Sequence, residues 1–169
     1  MTEPLTAYYR SPIGVLEIAG SRDGIASVLF VDDVAGENGT PPELQDCVAQ
    51  LDEYFGGKRK EFSVKLDLRG TEFQKRVWRA LQEIPFGRTV SYLDIASAIG
   101  NKESTRAVGR ANGQNPISII VPCHRVIGSD GGLTGYGGGL WRKRWLLDFE
   151  SRTHQDALFA FAEPNASRR

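Results

Sequence analysis

Cys123, His124 and Arg125 stand consecutively just past the apolar run Ile117-Ser118-Ile119-Ile120-Val121, with Pro122 between. A thiol beside a titratable imidazole and a guanidinium is the setting that lowers a thiol pKa and makes sulfur a nucleophile. A cysteine that merely packs in the core would sit among apolar neighbours instead. Hydrolysis through a covalent intermediate is one chemistry open to such a nucleophile; it needs an oxyanion hole, direct contact between thiol and base, and repeated turnover.

The surrounding composition narrows the setting. The chain has 169 residues, 40% hydrophobic and 25% charged, with 21 basic and 21 acidic side chains. That size suits one large domain or two small ones. No apolar run approaches a membrane span, and the N-terminal residues show no basic-then-apolar leader, so a cytosolic or nuclear location is expected, with no membrane partner. In such a reducing compartment Cys47 and Cys123 are expected as free thiols. A zinc site is not expected, since the adjacent Cys123-His124 pair lacks the usual ligand spacing. The charge is unevenly spread: residues 1–70 carry 7 basic and 12 acidic side chains, residues 71–169 carry 14 and 9. The second part suits a polyanionic partner.

The elements that must position the trio fall into two units. Val15–Ala19 and Ile25–Phe30 alternate as strands between the turns Ser11–Gly14 and Ser21–Gly24. Pro42–Phe55 carries Leu44, Val48, Leu51 and Phe55 at helical spacing, and Glu61–Leu68 alternates as a further strand. Beyond Gly70, Thr71 with Gln74 and Ser91 with Asp94 form capping boxes. The first opens a helix with the stripe Phe73, Val77, Leu81, Ile84. The second opens a short helix ended by Gly100, and a third runs from Ser104 or Thr105 to Asn112. The last two read as a helix-turn-helix. Arg106 and Arg110 share a face of the third helix beside the small Ala107, Gly109 and Ala111, a combination suited to phosphate contact and groove insertion with little sequence preference. Six glycines in residues 131–139 allow close backbone approach to a ligand, or a flexible hairpin. Trp141, Trp145 and Phe149 mark a final amphipathic helix bearing Arg142, Lys143 and Arg144. A loose tail is expected over 156–169.

In order, Phe73-Gln74-Lys75-Arg76-Val77-Trp78, Ile84-Pro85-Phe86-Gly87, Val90-Ser91-Tyr92, Arg106-Ala107-Val108-Gly109, Asn115-Pro116, Pro122–Val126, Gly135-Tyr136 and Trp145-Leu146-Leu147 before Glu150 form a specific set. Across residues 71–150 the chain resembles the O6-alkylguanine-DNA alkyltransferases. The resemblance implies an α+β / α/β protein: a small ribonuclease-H-like α/β domain over 1–70, then a mainly helical DNA-binding alkyltransferase domain over 71–155. It implies irreversible, single-turnover transfer of the alkyl group from O6-alkylguanine in duplex DNA to Cys123, after the base has flipped, with no cofactor. Activity on O4-alkylthymine stays open.

By that resemblance His124 acts as base through a bound water, Glu150 orients the imidazole, and Tyr92 hydrogen-bonds the flipped guanine. Arg106 fills the vacated place in the duplex, with Ala107, Arg110, Ser91 and Arg125 in the DNA contact. Asn115, Val126, Tyr136 and Gly137 form the substrate pocket. The sequence supplies its own reason for the water, because neighbouring side chains point apart in both helix and strand. Many relatives carry serine where Gly137 stands, so a looser pocket wall is expected. The expected partner is double-stranded DNA entered from the minor groove by a monomer, with cooperative binding left open. The expected location is cytoplasmic, nucleoid-associated, or nuclear in a eukaryote. Two rivals remain: a DNA-binding module that holds alkylguanine without repair, and the hydrolase.

Overall fold

The computed structural model describes residues 4–36 and 39–166, with side chains through Asp156. Strands β1 (Leu5–Ser11), β2 (Gly14–Ser21) and β3 (Gly24–Val31) form an antiparallel sheet in the order β1-β2-β3. The tight β1–β2 and β2–β3 turns place Gly14 and Gly24 at φ of +122° and +134°, backbone that glycine adopts without a Cβ penalty. Helix α1 (Pro42–Phe55) covers the sheet. It buries Leu44, Cys47, Leu51 and Tyr54 against Leu16, Ile18 and Val28, while Val48 and Phe55 stay half-buried. The buried stripe is therefore rotated from the expected one, because the aromatic Tyr54 and the thiol of Cys47 take the inner places.

Glu61–Leu68 does not form the expected strand. It makes a single parallel bridge, Ile25 to Leu66, through Ile25 N–H to Lys65 O (2.8 Å) and Asp67 N–H to Ile25 O (2.8 Å). Further along the same free edge of β3 sits the segment leading to Cys123: Val28 N–H donates to Pro116 O and Ser118 N–H to Val28 O, both at 2.9 Å.

Helix α2 (Glu72–Leu81) opens on a complete capping box, Thr71 Oγ1 accepting from Gln74 N–H and Gln74 Oε1 from Thr71 N–H. Strand β4 (Val90–Ser91) leads into helix α3 (Tyr92–Ala98), whose Ser91/Asp94 box is likewise complete. Gly100, at φ +79°, ends that helix. After a 3-10 turn comes helix α4 (Thr105–Gly113). Trp78 Nε1 donates to Ala111 O at 2.8 Å, tying α2 to α4. Strand β5 (Val126–Ile127) pairs in parallel with β4, a pairing too short for alternation to reveal. It sets Tyr92 beside the segment that follows Cys123.

Helix α5 runs from Leu140 to Ala166. The backbone of residues 156–166, expected as a tail, continues it, because Gln155 to Glu163 is rich in alanine and other helix formers and free of glycine. Residues 167–169 lie outside the described ones.

Candidate active site

Cys123, His124 and Arg125 form one 3-10 turn entered through Pro122. Asn115 holds the approach to it: its Nδ2 donates to Val121 O (2.8 Å) and Ile117 O (3.3 Å), and its Oδ1 accepts from Ile117 N–H (2.9 Å). Within this brace Ile119 sits at φ +72°, the one non-glycine residue with positive φ among those described. A β-branched side chain there is strained, and such strain persists only where the surroundings impose it.

The turn buries its chemistry. His124 is 0% and Glu150 1% exposed. His124 Nε2 meets Glu150 Oε2 at 2.7 Å, and its Nδ1 is buried without a hydrogen-bond partner among the described residues. Glu150 therefore fixes the tautomer with the proton on Nε2 and a lone pair on Nδ1. Burial works against charge on Glu150, but His124 and Arg125 outweigh it and hold the carboxyl well below the usual range. Burial also pushes the His124 pKa down, with Glu150 opposing, so the imidazole is neutral and able to accept a proton.

The thiol departs from what the sequence suggests. Burial pushes the Cys123 pKa up, while the Asn115 amide, the Lys143 cation and backbone N–H groups pull it down. The resting sulfur holds its proton and needs a base.

Arg125 is not on the DNA-facing surface where sequence reasoning put it. It is 5% exposed, its Nε and Nη2 grip Glu150 at 2.8 and 3.0 Å, and its Nη1 donates to Ile84 O at 2.7 Å. A guanidinium opposite a buried carboxylate forms a bidentate pair, because leaving either charge alone costs several kcal/mol, roughly 3–5.

Cys123 opens into a cleft of about 420 Å³ whose walls include Asn115, Ser118, Tyr136 and Gly137. Val126 is buried in β5, its carbonyl engaged by Lys143. Tyr92 lies half-buried at the start of α3, its hydroxyl 2.9 Å from Thr134 Oγ1. Gly109 on α4 comes close to the Tyr92 ring, so small residues on that helix let the two meet. Ser91 caps α3 and Ala107 is half-buried. Arg106 and Arg110 are exposed, and among the described residues neither side chain is in an ion pair or hydrogen bond. A cation with no partner at the surface is free to meet phosphate.

Four residues contribute in ways that escape the sequence reading. Lys143, expected on a basic face, is 0% exposed, and its Nζ donates to Val126 O (2.7 Å) and Thr134 O (2.8 Å). The spacing 143, 146, 150 puts it on one helical face with Leu146 and Glu150, a signal present in the sequence. Leu29 and Phe30, from β3, line the cleft. Arg142, stacked on Phe30 and Trp141 with its Nε on Ile13 O (2.7 Å), holds Gly138 O at 2.9 Å and so fastens the glycine-rich loop to the sheet.

Residues 72–152 match the 6-O-methylguanine DNA methyltransferase, DNA binding domain, and residues 5–68 the 6-O-methylguanine DNA methyltransferase, ribonuclease-like domain. The chain belongs to the 6-O-methylguanine DNA methyltransferase family. It is 51% identical over 156 residues to a methylated-DNA–protein-cysteine methyltransferase of Mycolicibacterium paratuberculosis, covering 89% of this chain and 94% of that one. The Mycobacterium tuberculosis O6-methylguanine methyltransferase crystal structure superposes with a TM-score of 0.81 at 46% identity, covering 89% and 94%. The crystal structure of Mycobacterium tuberculosis OGT in complex with DNA superposes with a TM-score of 0.79 at 51% identity, covering 86% and 92%.

Proposed function

We propose that this chain repairs DNA by direct reversal, taking the alkyl group of O6-alkylguanine onto Cys123 in one irreversible step. The observation that carries it is a thiol at the wall of a purine-sized cleft, backed by a buried His124–Glu150 pair whose free Nδ1 can take a proton. DNA is the partner, met from the minor groove by α4, where the exposed Arg110 reaches its phosphates and the exposed Arg106 points to the stack. The damaged base lies inside the duplex, so it must leave the stack, which costs a few kcal/mol. Arg106 takes its place there.

The thiol proton then passes through a water to His124 Nδ1, and Glu150 stabilises the imidazolium. The thiolate attacks the alkyl carbon. The S–C bond forms as the C–O6 bond breaks, and its electron pair stays with O6. Tyr92 releases Thr134 and donates its hydroxyl proton to the purine as the C–O6 bond breaks, so the base leaves as neutral guanine, and the proton held on His124 returns through water to the phenolate. In sum, thiol and O6-alkylguanine become thioether and guanine, and the proton moves from sulfur to base. Each molecule acts once, as a monomer, in the cytoplasm at the nucleoid.

The experiment is incubation with duplex DNA labelled on the O6-methyl group. Label on Cys123 at one equivalent supports transfer. Repeated turnover would mean hydrolysis, and binding without label would mean a recognition module. A Cys123→Ser variant that strips lesions at the parent's rate overturns the proposal.

A further inference from the structure

We infer, granted the assignment of Cys123 as acceptor, that Tyr54 of the N-terminal domain is a positioning residue for alkyl transfer, its phenol setting the aim and proton affinity of the Glu150–His124 pair. Tyr54 stands on α1, 96 positions before Glu150, yet its hydroxyl donates to Glu150 Oε2 at 2.6 Å in a fully buried contact. The same oxygen accepts from His124 Nε2 at 2.7 Å and from Arg125 Nη2 at 3.0 Å. Oε1 is occupied by Arg125 Nε at 2.8 Å, with Gly87 N–H farther off at 3.4 Å.

A carboxylate oxygen presents about two lone pairs. Three donors therefore compete on Oε2, and what the phenol takes the imidazole does not have. The phenol keeps its proton and donates it to the carboxylate, since burial and the neighbouring carboxylate push its own pKa well up. The other groups bearing on the pair are Arg125 from the turn, Lys143 from α5 and Tyr136 from the glycine-rich loop. Tyr54 alone comes from outside the DNA-binding domain.

Packing does not account for the hydroxyl. The Tyr54 ring lies among Phe55, Phe62, Phe86 and Phe149 at centroid distances of 5.1, 5.5, 6.0 and 5.5 Å. A phenylalanine would fill that place equally well. The oxygen adds one directed bond, and it falls on the carboxylate that holds His124.

The test is Tyr54→Phe in the full chain, with the rate of transfer from O6-benzylguanine followed over about pH 5–9. Melting temperature and affinity for undamaged duplex are measured alongside. With one donor gone, Glu150 binds the imidazole more tightly and raises its proton affinity, but is less firmly aimed. Transfer should slow about tenfold, the acid limb of the pH profile should move to higher pH, and DNA affinity should not change. An acid limb that coincides with the parent's, or lies below it, overturns the inference whatever the plateau does. Tyr54→Leu removes the ring as well. It should lower the melting temperature further without displacing the limb beyond the Phe variant, and an additional displacement would assign the effect to packing and overturn the role of the hydroxyl. A parent chain that takes neither the benzyl group nor the methyl group of O6-methylguanine in duplex DNA sinks the assignment of Cys123, a result distinct from an unshifted limb.

Discussion

Lys143 Nζ lies 2.7 Å from the carbonyl of Val126, three positions past the acceptor cysteine, with no exposure to solvent. Burial lowers its pKa and Cys123 raises it, so the ammonium and a Cys123 thiolate stabilise each other. It also fastens the glycine-rich loop through Thr134 O. Lys143→Met should raise the pH at which Cys123 reacts with iodoacetamide and slow transfer about tenfold. Unchanged thiol titration would remove the cation from the account.

Arg106 separates binding from chemistry. It is exposed on α4, whereas Cys123, His124 and Arg125 are buried. Arg106→Ala should weaken repair of duplex DNA by about tenfold or more while leaving the reaction with free O6-benzylguanine as it was. Equal losses on both substrates would place Arg106 in the chemical step instead.

His124 makes stability depend on pH. Its folded pKa lies below 6.5, mainly through burial, so the unfolded chain binds the proton first as pH falls. The stabilisation is full above the unfolded value and is lost as pH drops below about 6.5 toward the folded one. The depressed Glu150 carboxyl acts with the same sign at lower pH. Melting temperature should therefore fall between about pH 7.5 and 5.5, and less steeply in His124→Gln. Parallel curves for the two proteins would contradict this.

At Gly137 a Cβ would meet nothing within 4 Å. Serine is thus sterically allowed there, on a wall of the cleft that Cys123 also lines. Gly137→Ser should slow benzyl transfer more than methyl transfer, by a few-fold. An unchanged ratio of the two rates would mean that this wall does not sort alkyl groups.

Much of this was legible beforehand because local rules decided it. Both capping boxes, the Gly100 stop and the Pro42–Phe55 helix follow from side chains within a few positions of one another. The trio and Glu150 were found by motif. What escaped depends on distant partners. Arg125 and Lys143 read as surface cations until their acceptors, Glu150 and the Val126 carbonyl, are brought to them by the fold. The lone bridge at Leu66 replaces a strand because β3 offers that segment only one pairing position. Tyr54 and Phe30 join the site across the domain boundary, where periodicity carries no information.

The hydrogen bonds between Val28 and the Pro116–Ser118 segment make the N-terminal sheet a splint for the loop that presents the sulfur. A thioether adds bulk to a place already holding Ile119 in left-handed backbone, and such crowding costs roughly 1–3 kcal/mol. Splint and loop cannot both keep their fit, so the used molecule should melt at a lower temperature than the fresh one after reaction with O6-benzylguanine. A chain that can never be regenerated would thereby flag its own expenditure, loosening first where the two domains are sewn together.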